Sequence, residues 1–254
     1  YSNKSEFDFS KKFNIFVISF DNLPSEIMEN KFKKSKNLDD FIFFNKFISS
    51  SQSTFGNIIF EMHGNEISYE KVNHHKEYFD EIKLSKNNLF NLLEKEGIKR
   101  NFYGSYNSLI GKDELIDFHK FDNFEIIPLT FQRFLIPSLE RFFTYKLRFF
   151  YEYQFINKYF YEQKQSLKQF NIFINNIKNS SYTDDIVVNY GHWFFTHPPI
   201  SLRENCKFVK NVPQTIDQID QSAECSFKLF EEFITILKLK KIYKNSVVIF
   251  KSDS

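Results

Sequence analysis

The run Phe13-Asn14-Ile15-Phe16-Val17-Ile18-Ser19-Phe20 is apolar at nearly every position. A strand with one wet face alternates apolar and polar residues, so a nearly continuous run predicts an interior strand of a parallel sheet, covered on both sides. Two further runs have the same character: Ile186-Val187-Val188-Asn189-Tyr190 and Ser246-Val247-Val248-Ile249-Phe250. Between Ile216 and Lys241 the period changes. Ile216, Ile219, Ala223, Phe227, Phe230, Phe233, Ile234 and Leu237 recur at three- and four-residue spacing, which predicts an amphipathic helix feeding the Val247 strand. Leu89 to Glu96 predicts a second helix, closed by Gly97 at its C-terminal cap and followed by a strand from Ile98 to Tyr103. Helices alternating with buried strands give an α/β fold with a doubly wound, mostly parallel sheet and helices on both faces.

The segment from Phe131 to Tyr161, with Arg133, Arg141, Arg148 and many aromatic residues, predicts one or two helices inserted over 129–165. A helical cap packed on the sheet is preferred to a surface for lipid or an aromatic substrate. A chain of 254 residues can bury a large core, and it is read as one domain over 1–254. The sequence begins at Tyr1 and stops just after an apolar strand, so that domain is expected to be incomplete at its C-terminus.

Composition narrows the partners little. A net charge of +2 provides no basic field for nucleic acid. The 35 Phe against 6 Gly reflect a skewed composition, for which a genome rich in A and T is the simplest cause. Cys206 and Cys225 are too few for a disulfide framework and lack zinc-site spacing; they either pair in an oxidising compartment or are two buried thiols. No apolar run reaches the roughly eighteen residues that a membrane-spanning helix needs.

The candidate chemistry lies at the ends of the strands, where loops converge and ligands of open parallel sheets bind. Asp21 and Asp253 each follow an apolar strand. Two carboxylates brought together repel unless a cation lies between them, so a hard divalent metal is the physical expectation. Either Asp alone could equally cap a helix or close a turn. The stretch Ser49-Ser50-Ser51-Gln52-Ser53-Thr54-Phe55-Gly56-Asn57 leads into a helical run from Ile58 to Met62 that closes at Gly64. A hydroxyl at a helix N-terminus faces unpaired N–H groups and the positive end of the dipole, which favour a phosphoryl or sulfuryl group. Thr54 is the candidate nucleophile, and Asn57 a donor to a nonbridging oxygen. His63 and the His74-His75 pair are assigned to surface or packing, His192 to the lining of the same crevice, and His119 to no role.

These segments, in this order, resemble the alkaline phosphatase superfamily and its sulfatase-like domains. Asp21 resembles the first metal ligand of the sulfatase and phosphodiesterase branches. Thr54-Phe55-Gly56-Asn57 is similar to the Thr-Phe-Pro-Asn pattern of nucleotide pyrophosphatase/phosphodiesterases, with Gly56 in place of Pro. Leu89 to Lys99 resembles the helix and Gly leading into the next strand. Thr196-His197-Pro198-Pro199 resembles the motif whose His contacts the substrate anion, and the segment closing on Ser252-Asp253 resembles one in which Asp binds metal.

The resemblance implies a metal-dependent hydrolase or transferase acting on phosphate or sulfate esters. Asp21, Thr54 and Asp253 would bind a divalent ion (Zn, Mn, Mg or Ca), while Asn57 and His197 would contact substrate. Sulfatases of this family oxidise a Cys or Ser to formylglycine; a Thr cannot be so converted, which favours phosphoester chemistry over a sulfuric ester hydrolase. Ser254 stands where the family has His or Asn, which keeps a catalytically inactive binding protein as the alternative. The resemblance leaves the substrate open among a nucleotide, a lipid head group and a surface glycan, and by the same analogy it would be met outside the cytoplasm, with any membrane anchor preceding Tyr1.

Overall fold

The structure is a computed structural model that describes residues 9–44, 49–51, 53–64, 67–74, 87–104, 147–179, 181–198, 200–209 and 214–253. Its centre is a four-stranded sheet of β2 (Asn14–Phe20), β3 (Lys99–Gly104), β5 (Val187–Trp193) and β6 (Ser246–Ser252), in the order β3-β5-β2-β6. Every pair in it is parallel. Two short strands, β1 (Phe9–Ser10) and β4 (Tyr182–Thr183), pair in parallel beside it.

Helices cover both faces. Side chains alternate along a strand, so Phe16, Ile18 and Phe20 of β2 share a face with Trp193 of β5 and with Val248 and Phe250 of β6. Against that face pack α1 (Ser25–Lys34), α5 (Leu147–Asn179) and α6 (Ile216–Leu239). The abundant Phe is used here. Phe20 meets Phe195 edge-on at 4.9 Å and Phe16 meets Phe233 at 5.3 Å, while Phe230 stacks on Phe250 at 4.0 Å. Such geometries follow the ring quadrupole. Gly191 is required beside this cluster, because a Cβ there would lie 2.0 Å from the Trp193 ring.

The opposite face carries Val17, Phe102 and Tyr190, packed under Ile58 and Met62 of α2 (Thr54–His63) and Phe90 of α4 (Leu89–Lys95). The short α3 (Tyr69–Asn73) lies against α2. The C-terminal cap read at Gly97 acts as expected, at φ 70°. Asn88, not singled out in the sequence, caps α4 at its start by accepting from Asn91 N–H. Gly97 N–H then bonds to Glu94 C=O and Ile98 N–H to Leu93 C=O, the paired bonds of a Schellman cap.

Two details add to the sequence reading or resolve it. Of the segment expected as an inserted helical cap over 129–165, residues 147–165 lie in α5, which runs on to Asn179; its Phe170, Phe173, Ile174 and Ile177 are core residues against the sheet. Residues 129–146 of that expectation, with Arg133 and Arg141, lie outside the described residues. Cys206 and Cys225 form a disulfide, tying the 200–209 loop to α6. Among the described residues, no helix is long and apolar enough to cross a membrane.

Candidate functional site

The alternation of side chains places the chemistry before any loop is considered. Ile15, Val17 and Ser19 face α2, and Asp21 continues that parity just beyond β2. Val247, Ile249 and Lys251 have the same parity on β6, and Asp253 continues it. Both aspartates therefore reach the α2 side at the carboxyl ends of neighbouring parallel strands, and both are buried.

Asp21 is fixed through its backbone. Its N–H donates to Trp193 C=O at 2.9 Å, and its own carbonyl accepts from the Thr196 hydroxyl. Asn22 then turns through φ 55°, a left-handed conformation that Asn tolerates. The turn directs Asn22 N–H to Asp253 Oδ1 at 3.1 Å, and Leu23 N–H to Ser252 Oγ at 3.0 Å. Residues 231 apart in sequence are thereby joined.

Thr54 stands at the first position of α2, after Ser53, whose hydroxyl caps the helix by accepting from Gly56 N–H at 3.1 Å. The Thr54 hydroxyl donates to Asp21 Oδ1 at 3.0 Å. Asn57, one turn on, is buried with its amide fully engaged. Its Oδ1 accepts from Ser51 N–H at 2.7 Å and Ser49 Oγ at 2.9 Å. Its Nδ2 donates to Ser51 C=O at 2.9 Å and to the backbone carbonyl of Asp253. In this arrangement both N–H groups expected to meet substrate are spent on tying the serine loop and the end of β6 to α2.

Two histidines flank the carboxylates. His192 Nε2 lies 2.8 Å from Asp253 Oδ2, with both side chains fully buried. His197 Nδ1 lies 2.6 Å from Pro198 C=O, which can only accept, so a neutral ring carries its proton on Nδ1. Its Nε2 is 3.9 Å from Asp21 Oδ2, and the ring stays partly exposed. Partial burial lowers the His197 pKa, against the raising effect of the Pro198 bond. Burial opposes ionisation of Asp253, but the hydrogen bond and attraction of His192, the Asn22 N–H and a hydrogen bond with Asp21 outweigh it. They hold that carboxyl well below the usual range.

The burial of Asp21 and Asp253 at the ends of neighbouring strands is the test of fit for a metal. Two buried carboxylates brought close together ionise together more readily when a cation screens them. Two buried carboxylates beside a hydroxyl make an all-oxygen set suited to a hard divalent ion. Among the described residues no three His, Cys, Asp or Glu side chains form a ready cation shell, so this set would be a partial one.

All the residues singled out for the site, Asp21, Thr54, Asn57, His197 and Asp253, converge on this one strand-end crevice. Of the other histidines, His63 is buried in packing and His74 is exposed at the end of α3. His75, His119 and Ser254 lie outside the described residues. The bonds that Thr196 and Asn22 donate and the one that Ser252 accepts were not foreseen; the Asn-Leu-Pro that follows Asp21 was the signal for a turn there. No protein-family model matches this chain, and no curated protein matches it.

Proposed function

We propose that the chain is a sulfatase-like domain of the alkaline phosphatase superfamily, a metal-dependent hydrolase or transferase of phosphate esters with Thr54 as its nucleophile. The observation that carries this reading is the Thr54 hydroxyl donating to Asp21 Oδ1 at 3.0 Å, at a helix N-terminus and beside a second buried carboxylate. A divalent ion bound by Asp21, Asp253 and Thr54 would lower the pKa of the hydroxyl and neutralise charge on the phosphoryl oxygens.

The chain's own groups do the rest. Asp21 orients the Thr54 oxygen, which attacks phosphorus as its proton passes to Asp21 Oδ1, the acceptor of its hydrogen bond, while the bond from phosphorus to the leaving oxygen breaks. The electron pair of that bond goes to the leaving oxygen, which takes up a proton. His197 Nε2 faces the crevice as the group that accepts a proton and returns it to the leaving oxygen or holds a phosphoryl oxygen. Water or a second alcohol then releases the group from Thr54, giving hydrolysis or transfer. A phosphoryl oxygen would win an Asn57 N–H only in exchange for the Ser51 or Asp253 carbonyl.

Turnover of an aryl phosphodiester and of an aryl sulfate in Mn²⁺ or Zn²⁺ tests the reading, with Thr54→Ala and Asp21→Ala alongside. Phosphodiester cleavage abolished by Thr54→Ala supports it. Preferential sulfate cleavage would indicate a sulfuric ester hydrolase, and inert wild-type protein a binding domain; both outcomes reject the proposal.

A further inference from the structure

The Asp253 carboxylate is held from several sides, and one of these holds comes from across the sheet. β5 lies between β3 and β2, and all seven of its residues are buried. His192 near its end is in register with Ser19 of β2, and Ser19 is in register with Lys251 of β6. From β5 to β6 is two strand spacings, roughly 10 Å. Only a small residue on β2 between them lets an imidazole and a carboxylate meet over that distance, and Ser19 is such a residue. The ring is also steadied edge-on by Phe194 at 5.3 Å.

Resting on the function proposed above, we infer that His192 is a positioning residue for Asp253. A carboxylate oxygen accepts, so Nε2 carries the proton and donates to Oδ2 at 2.8 Å, while Asn22 N–H holds Oδ1 at 3.1 Å. Asn57 fixes the backbone carbonyl of the same residue. With one oxygen fixed from β5 and the other from the Asp21 turn, the carboxylate cannot rotate, and its edge toward Asp21 is presented in a single orientation. Hydrogen-bonded partners of metal-binding groups set affinity in this way, commonly by 10- to 100-fold.

The test compares His192→Phe, which keeps a buried ring without a donor, with His192→Gln, whose amide N–H can replace Nε2–H. Mn²⁺ affinity by calorimetry and aryl phosphodiester kinetics are read for each. The expectation is a fall in affinity of about 10- to 100-fold in His192→Phe, a matching loss in kcat with KM little changed, and recovery of most of both in His192→Gln. Folded His192→Phe that matches wild type, or His192→Gln impaired as severely as His192→Phe, would overturn the assignment. Nitrogen-15 NMR of the His192 ring in metal-free wild-type protein gives a readout free of activity and of the variants' folding. A proton on Nε2, protected from exchange and freed by Asp253→Ala, supports the role; a ring indifferent to Asp253→Ala overturns it. Wild-type protein that neither binds Mn²⁺ nor turns over would defeat the proposed function, while the NMR outcome would still decide the His192 contact.

Discussion

Asn57→Ala separates two roles for this residue. If the amide serves substrate, its loss raises KM and leaves stability nearly unchanged. The structure instead engages it in four hydrogen bonds that join the 49–51 loop and the end of β6 to α2. Each such bond contributes about 1 kcal/mol net, and a buried partner left bare costs about 1–3 kcal/mol. Ser49 Oγ and Ser51 C=O can turn to water after the truncation, whereas the bond to the Asp253 carbonyl is buried. The expected destabilisation is therefore about 2–4 kcal/mol, a fall in Tm of roughly 5–15 °C for a chain of this size. Asn57→Asp should be at least as damaging near neutral pH, since it replaces two donors facing carbonyl oxygens with an acceptor. Urea and thermal unfolding in chelator-containing buffer measure both variants without contribution from metal. Asn57→Ala within about 0.5 kcal/mol of wild type would refute the reasoning.

Two further predictions concern the same scaffold. A Cβ on Gly56 would lie 2.3 Å from Ser51 Oγ and 2.8 Å from Ser51 Cβ, so Gly56→Ala should destabilise by about 1–3 kcal/mol. Ser51→Gly in the same chain should recover part of that loss in urea unfolding; a double variant worse than the sum of the singles would contradict the clash. Glu224 has its pKa lowered, first by its hydrogen bond to Lys31 and against modest desolvation. Its contribution is present above the unfolded carboxylate pKa and is lost as pH falls through the lower folded value. The pair is partly exposed, so solvent screening limits Glu224→Gln to a loss of about 0.5 kcal/mol at pH 7. The difference from wild type should vanish in acid, and a difference that grows there would count against the ion pair.

β2 and β5 were legible because a strand buried on both faces is apolar at nearly every position; the same pattern misled for Val247 to Phe250, which was expected inside the sheet, whereas β6 is the edge strand of the described sheet with Val247 and Ile249 nearly half exposed. Where chemistry interrupts that rule the ends blurred: β5 continues through Gly191 and His192 to Trp193, past the end of the apolar run at Tyr190. The C-terminal half of α5 was missed although Phe170, Phe173, Ile174 and Ile177 have helical spacing, because Phe, Ile and Asn are frequent throughout this chain. At the site, Asp21 and Asp253 were visible as carboxylates following strands. Their partners were not, because the His192 bond depends on strand order across 61 residues and the role of Asn57 on how the serine loop folds back. The choice between paired and free cysteines likewise required the 200–209 loop to be seen against α6.

The measurement that tests the central claim most directly is peptide mass spectrometry of protein quenched during turnover of an aryl phosphodiester with Mn²⁺. The account predicts a phosphoryl ester on Thr54, absent in Thr54→Ala. Turnover with no adduct at Thr54, an adduct on Ser51 or Ser53 instead, or no turnover at all would contradict it.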